Sequence, residues 1–406
     1  MKDLKKVVEG EVERRRQELT AMSDWLMRNP ETGHREYMAA WLLTSYLERA
    51  GFHVERGVAG LETAFRATLH GKGERPVVAL MAEYDALPGI GHGCGHNIIA
   101  TSTVGAAAAL KSIMPEICGT LVVLGTPAEE EPKLPSSQSP PHLWGGKVAM
   151  VNRGVFDDVD FAMMMHPSGN GFSYMKRTSS VASTGLQITF IREPGCETPV
   201  AEAVEKLSHW IDSFNQDSPS AARVRLEGTE DAEDWTEVIV SFRASDVSHV
   251  EELADEVLKE AGRISKEMGV SMHHRYFMET YADMIWNTPM VEASMRNLTR
   301  AGEAPILELD RPNLGDEGNV SHVVPTICTW VRTTEEAMRE HTEEFADSTV
   351  TRLGHEAVLK GAKTLAMTAI DLFTDRGLVQ DAVSEFIEVS RERALEIARR
   401  NHISVE

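Results

Sequence analysis

The sequence predicts an α/β protein: buried parallel strands covered by helices, interrupted by a smaller α+β unit. Three observations carry this. Short apolar runs, unbroken by polar groups, alternate with helix-prone segments. Each of the first three runs ends in a carboxylate or a histidine. From about Thr178 the apolar pattern changes to period two, and the first texture returns near Ile327.

Residues 3–50 are strongly charged, with apolar residues at helical spacing, among them Val7, Val8, Trp25, Leu26, Trp41 and Leu42. Asn29-Pro30 divides them into two helices, and Gly51 closes the second. Val77–Met81 then reads as a strand leading into Glu83-Tyr84-Asp85. Ala-rich Ile98–Ile113 is a helix. Leu121–Leu124 leads into Gly125-Thr-Pro-Ala-Glu-Glu130, and Phe161–Met165 into His166-Pro167. Residues 132–141, rich in proline and serine, form a loop. In the inserted unit, Leu186–Ile191 and Thr236–Phe242 alternate like antiparallel strands, and Ala201–Phe214 and Val250–Met268 are amphipathic helices. Strand-like Ile327–Val331 and helices Glu356–Phe373 and Val379–Arg400 complete the chain. The expected division is residues 1–178 with 293–406 as one domain and 179–292 inserted into it. In such sheets ligands collect at the carboxyl ends of strands, where the chemically interesting residues lie.

Composition narrows the function. The 406 residues carry 41 basic and 63 acidic side chains, a net charge of −22, with 42% hydrophobic residues. Ordinary globular composition excludes a disordered chain, and the acidity disfavours nucleic acid and anionic membranes as partners. Four scattered cysteines match no finger or CxxC spacing and imply a reducing compartment. The start MKDLKKVVEGEVERRR has no apolar stretch, so no signal peptide is expected, and no run reaches the ~18 apolar residues of a membrane span; the location predicted is cytoplasmic.

The sharpest local feature is Gly89-Ile-Gly-His-Gly-Cys-Gly-His96-Asn97. Its glycines let backbone approach a ligand, and Cys94 and His96 together suit zinc or a similar ion. Read blandly, it is a turn before a helix. The neighbouring carboxylates Glu129 and Glu130 allow one to bind metal while the other faces a water, the division a metallohydrolase needs. Read blandly, they complement a helix N-terminus. His166, His322 and His341 are each uninformative alone. His355-Glu356 lacks the second histidine of a zincin, since Leu359 stands there. Cys, His, Glu, Glu and His on successive strand ends are specific only in combination.

That combination resembles the clan MH metallopeptidases and amidohydrolases related to aminoacylase and carboxypeptidase G, in the branch of aminobenzoyl-glutamate hydrolase, indole-acetyl-amino-acid hydrolases and β-alanyl-lysine dipeptidase. The matching text includes Asn29-Pro-Glu31 with Glu36, Ala82-Glu-Tyr-Asp-Ala-Leu-Pro-Gly-Ile-Gly-His-Gly-Cys-Gly-His-Asn97, Gly125–Glu130, Gly146-Lys147, Val159–Pro167, Gly315–His322 and His341-Thr-Glu-Glu-Phe345. The resemblance implies a catalytic domain with a mixed central sheet flanked by helices. It also implies an inserted lid that closes over substrate and forms a homodimer. It makes Cys94 a bridging ligand and His96, Glu130, His166 and His341 further ligands of one or two divalent ions, zinc or manganese. Glu129 becomes the general base, and Asp85 the group that orients a ligand.

The inserted unit departs from that family. The stretch Ile191–Pro199 lacks the histidine that relatives carry there, and Glu227–Asp234 replaces a Gly-rich strand entry. An insertion, Glu131–Trp144, follows the paired carboxylates; it brings His142 and Trp144, with Asn97, towards a substrate pocket, or it is a surface loop. The expected activity is hydrolysis of a C–N bond, the amide of an N-acyl amino acid or similar small conjugate. The alternatives are hydrolytic deamination of an aromatic amine at the same site and a non-catalytic metal- or ligand-binding descendant.

Overall fold

A computed structural model describes residues 3–130, 145–176, 181–195, 199–217, 223–231, 234–308 and 315–400. His142, Trp144 and Cys196 lie outside them. The chain opens with helices α1 (Leu4–Arg14), α2 (Arg16–Arg28) and α3 (Tyr37–Arg49). The first predicted helix is thus two. The break is at Arg15, whose ψ of 3° turns the backbone out of helical register while its N–H bonds the Val12 carbonyl.

Strands β1 (His53–Arg56), β2 (Phe65–His70), β3 (Val77–Ala82), β4 (Thr120–Gly125), β5 (Phe161–Ser168) and β6 (Tyr174–Lys176) follow. Helices α4 (His96–Leu110) and α5 (Gly146–Asn152) lie among them. The inserted elements are β7 (Ala182–Arg192), α6 (Ala201–Asp217), β8 (Arg223–Asp231), β9 (Trp235–Ala244), α7 (Val247–Met268) and β10 (Val270–Tyr276). The chain closes with α8 (Thr288–Arg300), β11 (Ile306–Glu308), α9 (Glu317–Ser321), β12 (Thr326–Arg332), α10 (Glu343–Ser348), α11 (Arg352–Thr374) and α12 (Arg376–Arg400).

The strands form two sheets. The larger has the order β1-β2-β4-β3-β5-β12-β6-β11, and the smaller β10-β7-β9-β8. In the centre of the larger sheet β4, β3, β5 and β12 run parallel. Their apolar runs are buried along their whole length on β3 and β4, which requires cover on both faces. The flanking pairs β1–β2, β2–β4 and β12–β6 are antiparallel, so the sheet is mixed. β1 and β2 escape the sequence reading because neither is an unbroken apolar run: β1 is short and mostly exposed, and β2 includes Arg66 and His70.

Helix α4 is buried all round, which explains its Ala-rich, non-amphipathic sequence. It carries His96 at its first turn, beside the ends of the parallel strands. The smaller sheet is antiparallel throughout and has its own core, with Leu186, Phe190, Val240 and Phe242 packed on Leu207, Leu253 and Val257 of α6 and α7. The chain rejoins the main core at Met284 and Trp286. Cys94, Cys118 and Cys328 are free thiols. No described helix is long and apolar enough to cross a membrane.

Candidate metal centre

Three strand ends and one glycine loop converge on a single point. Glu83 and Asp85 follow β3, Glu129 and Glu130 follow β4, and His166 lies on β5. The loop before α4 adds Cys94 and His96, and His341 precedes α10. Three overlapping groups bring ligand atoms within 4.8 Å of one another: Cys94–His96–His166, Cys94–Glu130–His341, and His96–Glu129–Glu130.

Two of the imidazoles are oriented by their outer nitrogens. His96 Nδ1 lies 2.9 Å from Asp85 Oδ1, and His166 Nδ1 lies 2.6 Å from the Pro167 carbonyl. With an ion bound, each contact would keep the ring proton on Nδ1 and turn Nε2 towards the site. His166 Nε2 then stands 3.3 Å from Cys94 Sγ. His96 Nε2 stands 3.3, 3.8 and 3.9 Å from oxygens of Glu83, Glu129 and Glu130. His341 Nε2 is 3.5 Å from Glu130 Oε1, and its side chain is half exposed.

Glycine makes the convergence sterically feasible. Gly95 caps α4 at φ +76°, where an L side chain is strained, and a Cβ there would overlap the ring of Pro167. The segments carrying His96 and His166 therefore approach only with glycine between them. Two non-glycine residues also hold left-handed backbone beside the site, Ala128 at φ +58° and His341 at φ +62°. Such backbone is held only where surroundings determine it.

The donor set fits a divalent cation. Among the described residues, His96 Nε2 and Glu130 Oε1 are buried with no hydrogen-bond partner, the atoms an ion would take. Burial and the charges of its neighbours push the Glu129 carboxyl well above the carboxylate range and Glu130 up to about 7. Burial and the same carboxylates push the Cys94 thiol well up. Although burial opposes it, Asp85 and Glu83 draw the His96 imidazole up to about 9. This crowd of negative charge is what a cation would neutralise, releasing the thiolate and carboxylates as ligands.

The sequence alone assigns no role to two partners of the site, Lys147 and Glu36. Lys147, fully buried at the start of α5, forms ion pairs with Glu83 and Asp316, and its N–H donates to Asp316 Oδ2 at 2.8 Å. A lysine at a helix N-terminus opposes the dipole, which is the sequence signal that something else holds it there. Glu36 is fully buried and accepts from the N–H groups of His34 and Ala128 and from the Thr63 hydroxyl. Asn97 is also fully buried, its amide donating to Ser23 Oγ and Thr349 Oγ1 at 3.0 and 3.1 Å. Its donors are thus held by Ser23 and Thr349, while its Oδ1 is buried with no hydrogen-bond partner. His322 bonds the Asp283 carbonyl and His355 bonds Asp24, both outside the ligand groups.

Residues 79–370 match peptidase family M20/M25/M40. The chain is 26% identical to one of the subunits of the p-aminobenzoyl-glutamate hydrolase of Escherichia coli (strain K12) over 479 aligned positions, covering 96% of each chain. It is 29% identical to the Xaa-Arg dipeptidase of Homo sapiens, covering 91% of this chain and 88% of that one. Among solved structures it is similar in fold to an aminobenzoyl-glutamate utilization protein from Klebsiella pneumoniae, with a TM-score of 0.73, 15% identity and coverage of 91% and 100%. A dinuclear metal-binding M20 peptidase from Bacillus subtilis gives a TM-score of 0.60 at 18% identity, with coverage of 86% and 98%. The chain belongs to peptidase family M20/M25/M40 and is a metal-dependent amidohydrolase of that family.

Proposed function

We propose that the protein hydrolyses the amide bond of an N-acyl amino acid or similar small conjugate, with Glu129 as general base. The observation that carries this is the asymmetry of the paired carboxylates. Glu130 is the more buried, 6% exposed at its side chain, and its amide is tied to Asp85 Oδ2 at 2.8 Å. Glu129 is 14% exposed and enters only the ligand group that His96 shares. Glu130 enters two of the ligand groups and Glu129 one, which supports Glu130 as the ligand and the more exposed Glu129 as the group that handles a proton.

Cys94, His96, Glu130, His166 and His341 would hold one or two ions, zinc or manganese. When bound, a divalent ion supplies Lewis acidity to the scissile carbonyl and to the attacking water. Asp85 keeps His96 in the tautomer that binds. Glu129 takes a proton from water as the water oxygen bonds to the acyl carbon, and passes it to the amine nitrogen as the C–N bond breaks, giving a carboxylate and an amine. Residues 179–292 are the inserted unit that covers the substrate. The relatives' names, an aminobenzoyl-glutamate hydrolase and a dipeptidase, both support amide substrates with an amino-acid half. The exposed edge strand β10 supports pairing with a second copy, in a cytoplasmic homodimer.

The test is Glu129→Gln, assayed on a panel of N-acyl amino acids and dipeptides with metal content measured by elemental mass spectrometry. Full metal with turnover reduced about a thousandfold or more is the expected result, since the base and its water act as one unit. Turnover near the parent rate would sink the base assignment. Ammonia released from aromatic amines, with no carboxylate product from any amide, would replace amide hydrolysis with ring deamination.

A further inference from the structure

The turn carrying Glu129 is fastened at four backbone polar groups. The Ala128 N–H donates to Glu36 Oε1, its carbonyl accepts from the Gly145 N–H, and the Glu130 N–H donates to Asp85 Oδ2. The carbonyl of Glu129 itself accepts from the phenol of Tyr281 at 2.8 Å. Those first partners all belong to the larger unit. Tyr281 belongs to the segment between β10 and α8, on which the chain returns from the smaller sheet.

That segment is where the two units join. Tyr281 pairs antiparallel with Ser183 at the start of β7, the N–H of each donating to the other's carbonyl at 2.8 and 2.9 Å. On its other side Asn319 of α9 grips it twice, accepting from the Ala282 N–H at 2.9 Å and donating to the Thr280 carbonyl at 3.0 Å. The Tyr281 ring is buried against Ala128, Val148 and Met278 in a small apolar cluster separate from both main cores. One residue thus joins the smaller sheet through its backbone and the turn that carries Glu129 through its hydroxyl.

We propose that Tyr281 is a positioning residue for Glu129. Its hydroxyl registers the Glu129 carbonyl against the junction of the two units, so the carboxylate is set for proton transfer when the smaller unit is docked. This rests on Glu129 being the general base. A displacement of about 1 Å at such a group is enough to slow a reaction strongly.

Tyr281→Phe tests it, because the ring keeps its packing and only the O–H is lost. The expected result is a fall in kcat of about tenfold with KM within about twofold and metal content unchanged. Hydrogen exchange at amides 128–130 should quicken in the same variant. A merely structural tyrosine would lower the melting temperature without that split, and an unchanged kcat with unchanged exchange overturns the proposal. Asn319→Ala loosens the same segment from α9 and should lower kcat by about threefold alone. Combined with Tyr281→Phe it should cost less than the product of the two losses, since both act through one carbonyl. A full product overturns the coupling. Glu129→Gln separates the failures: retained turnover there removes the base, whereas a dead Glu129→Gln beside a silent Tyr281→Phe removes only this inference.

Discussion

Asp85 and His96 form the contact on which the metal centre is organised. One Asp85 oxygen lies 2.9 Å from His96 Nδ1 and the other accepts the Glu130 N–H at 2.8 Å. A single fully buried carboxylate therefore orients an imidazole and the backbone of a carboxylate that share one ligand group. Although burial raises the cost of its charge, the His96 ring holds its carboxyl below the usual range.

Asp85→Asn should weaken metal binding by about 10- to 100-fold, because the amide offers one acceptor where two are used. Competition against a chelator of known affinity measures it. Unchanged affinity would mean that His96 is oriented by other contacts.

Lys147→Met should destabilise the protein by about 3–5 kcal/mol, as expected when one partner of a buried ion pair is removed. The lysine is fully buried between Glu83 and Asp316, and the substitution strips the ammonium from both at once. Only Glu83 keeps His96 beside it, at 3.3 Å. Urea unfolding of the parent and variant gives the difference. A loss below about 1 kcal/mol would show that the carboxylates take protons at no cost, contrary to the usual penalty.

Gly95→Ala should cost stability and metal together. The new methyl overlaps Pro167 at a residue with φ +76°; His96 follows Gly95 and His166 precedes Pro167. A destabilisation of about 1–3 kcal/mol is expected from overpacking alone. Metal content per chain in the folded fraction should fall, whereas a stable variant with full metal would show that the two segments can separate without parting the ligands.

Glu36 should leave a signature in pH dependence. Burial, and then the charge of Asp85, push its carboxyl from an ordinary 4.5 up to about 8. Between those values the folded chain keeps a proton that the unfolded chain has released. Its stabilising contribution is therefore complete below about pH 4.5 and is lost as pH rises through about 8. In chelator-treated protein, Glu36→Gln should flatten that decline, read as the difference in urea midpoint between pH 5.5 and 8.5. Parallel profiles for parent and variant would remove Glu36 as the cause.

Much of this was legible in the sequence because it depends on local pattern. The runs Val77–Met81, Leu121–Leu124 and Phe161–Met165 are buried strands, and a run without polar interruption has few other fates. Carboxylates and histidines at strand ends, Glu129, Glu130 and His166 among them, are legible as candidates for the same reason. Pairings between distant segments were not legible. No local pattern says that Lys147 meets Asp316, or that Tyr281 reaches the Glu129 carbonyl, because each contact is set by how the chain returns. Helix propensity likewise gave no warning of the break at Arg15, where three consecutive arginines read as good helix formers.

The Gly145 N–H donates to the Ala128 carbonyl at 2.9 Å, and a Cβ on Gly146 would collide with the Pro127 carbonyl oxygen. Gly145 and Gly146 thus sit directly against Pro127 and Ala128, the turn that precedes the two carboxylates. While this clamp holds, the two carboxylates keep their place.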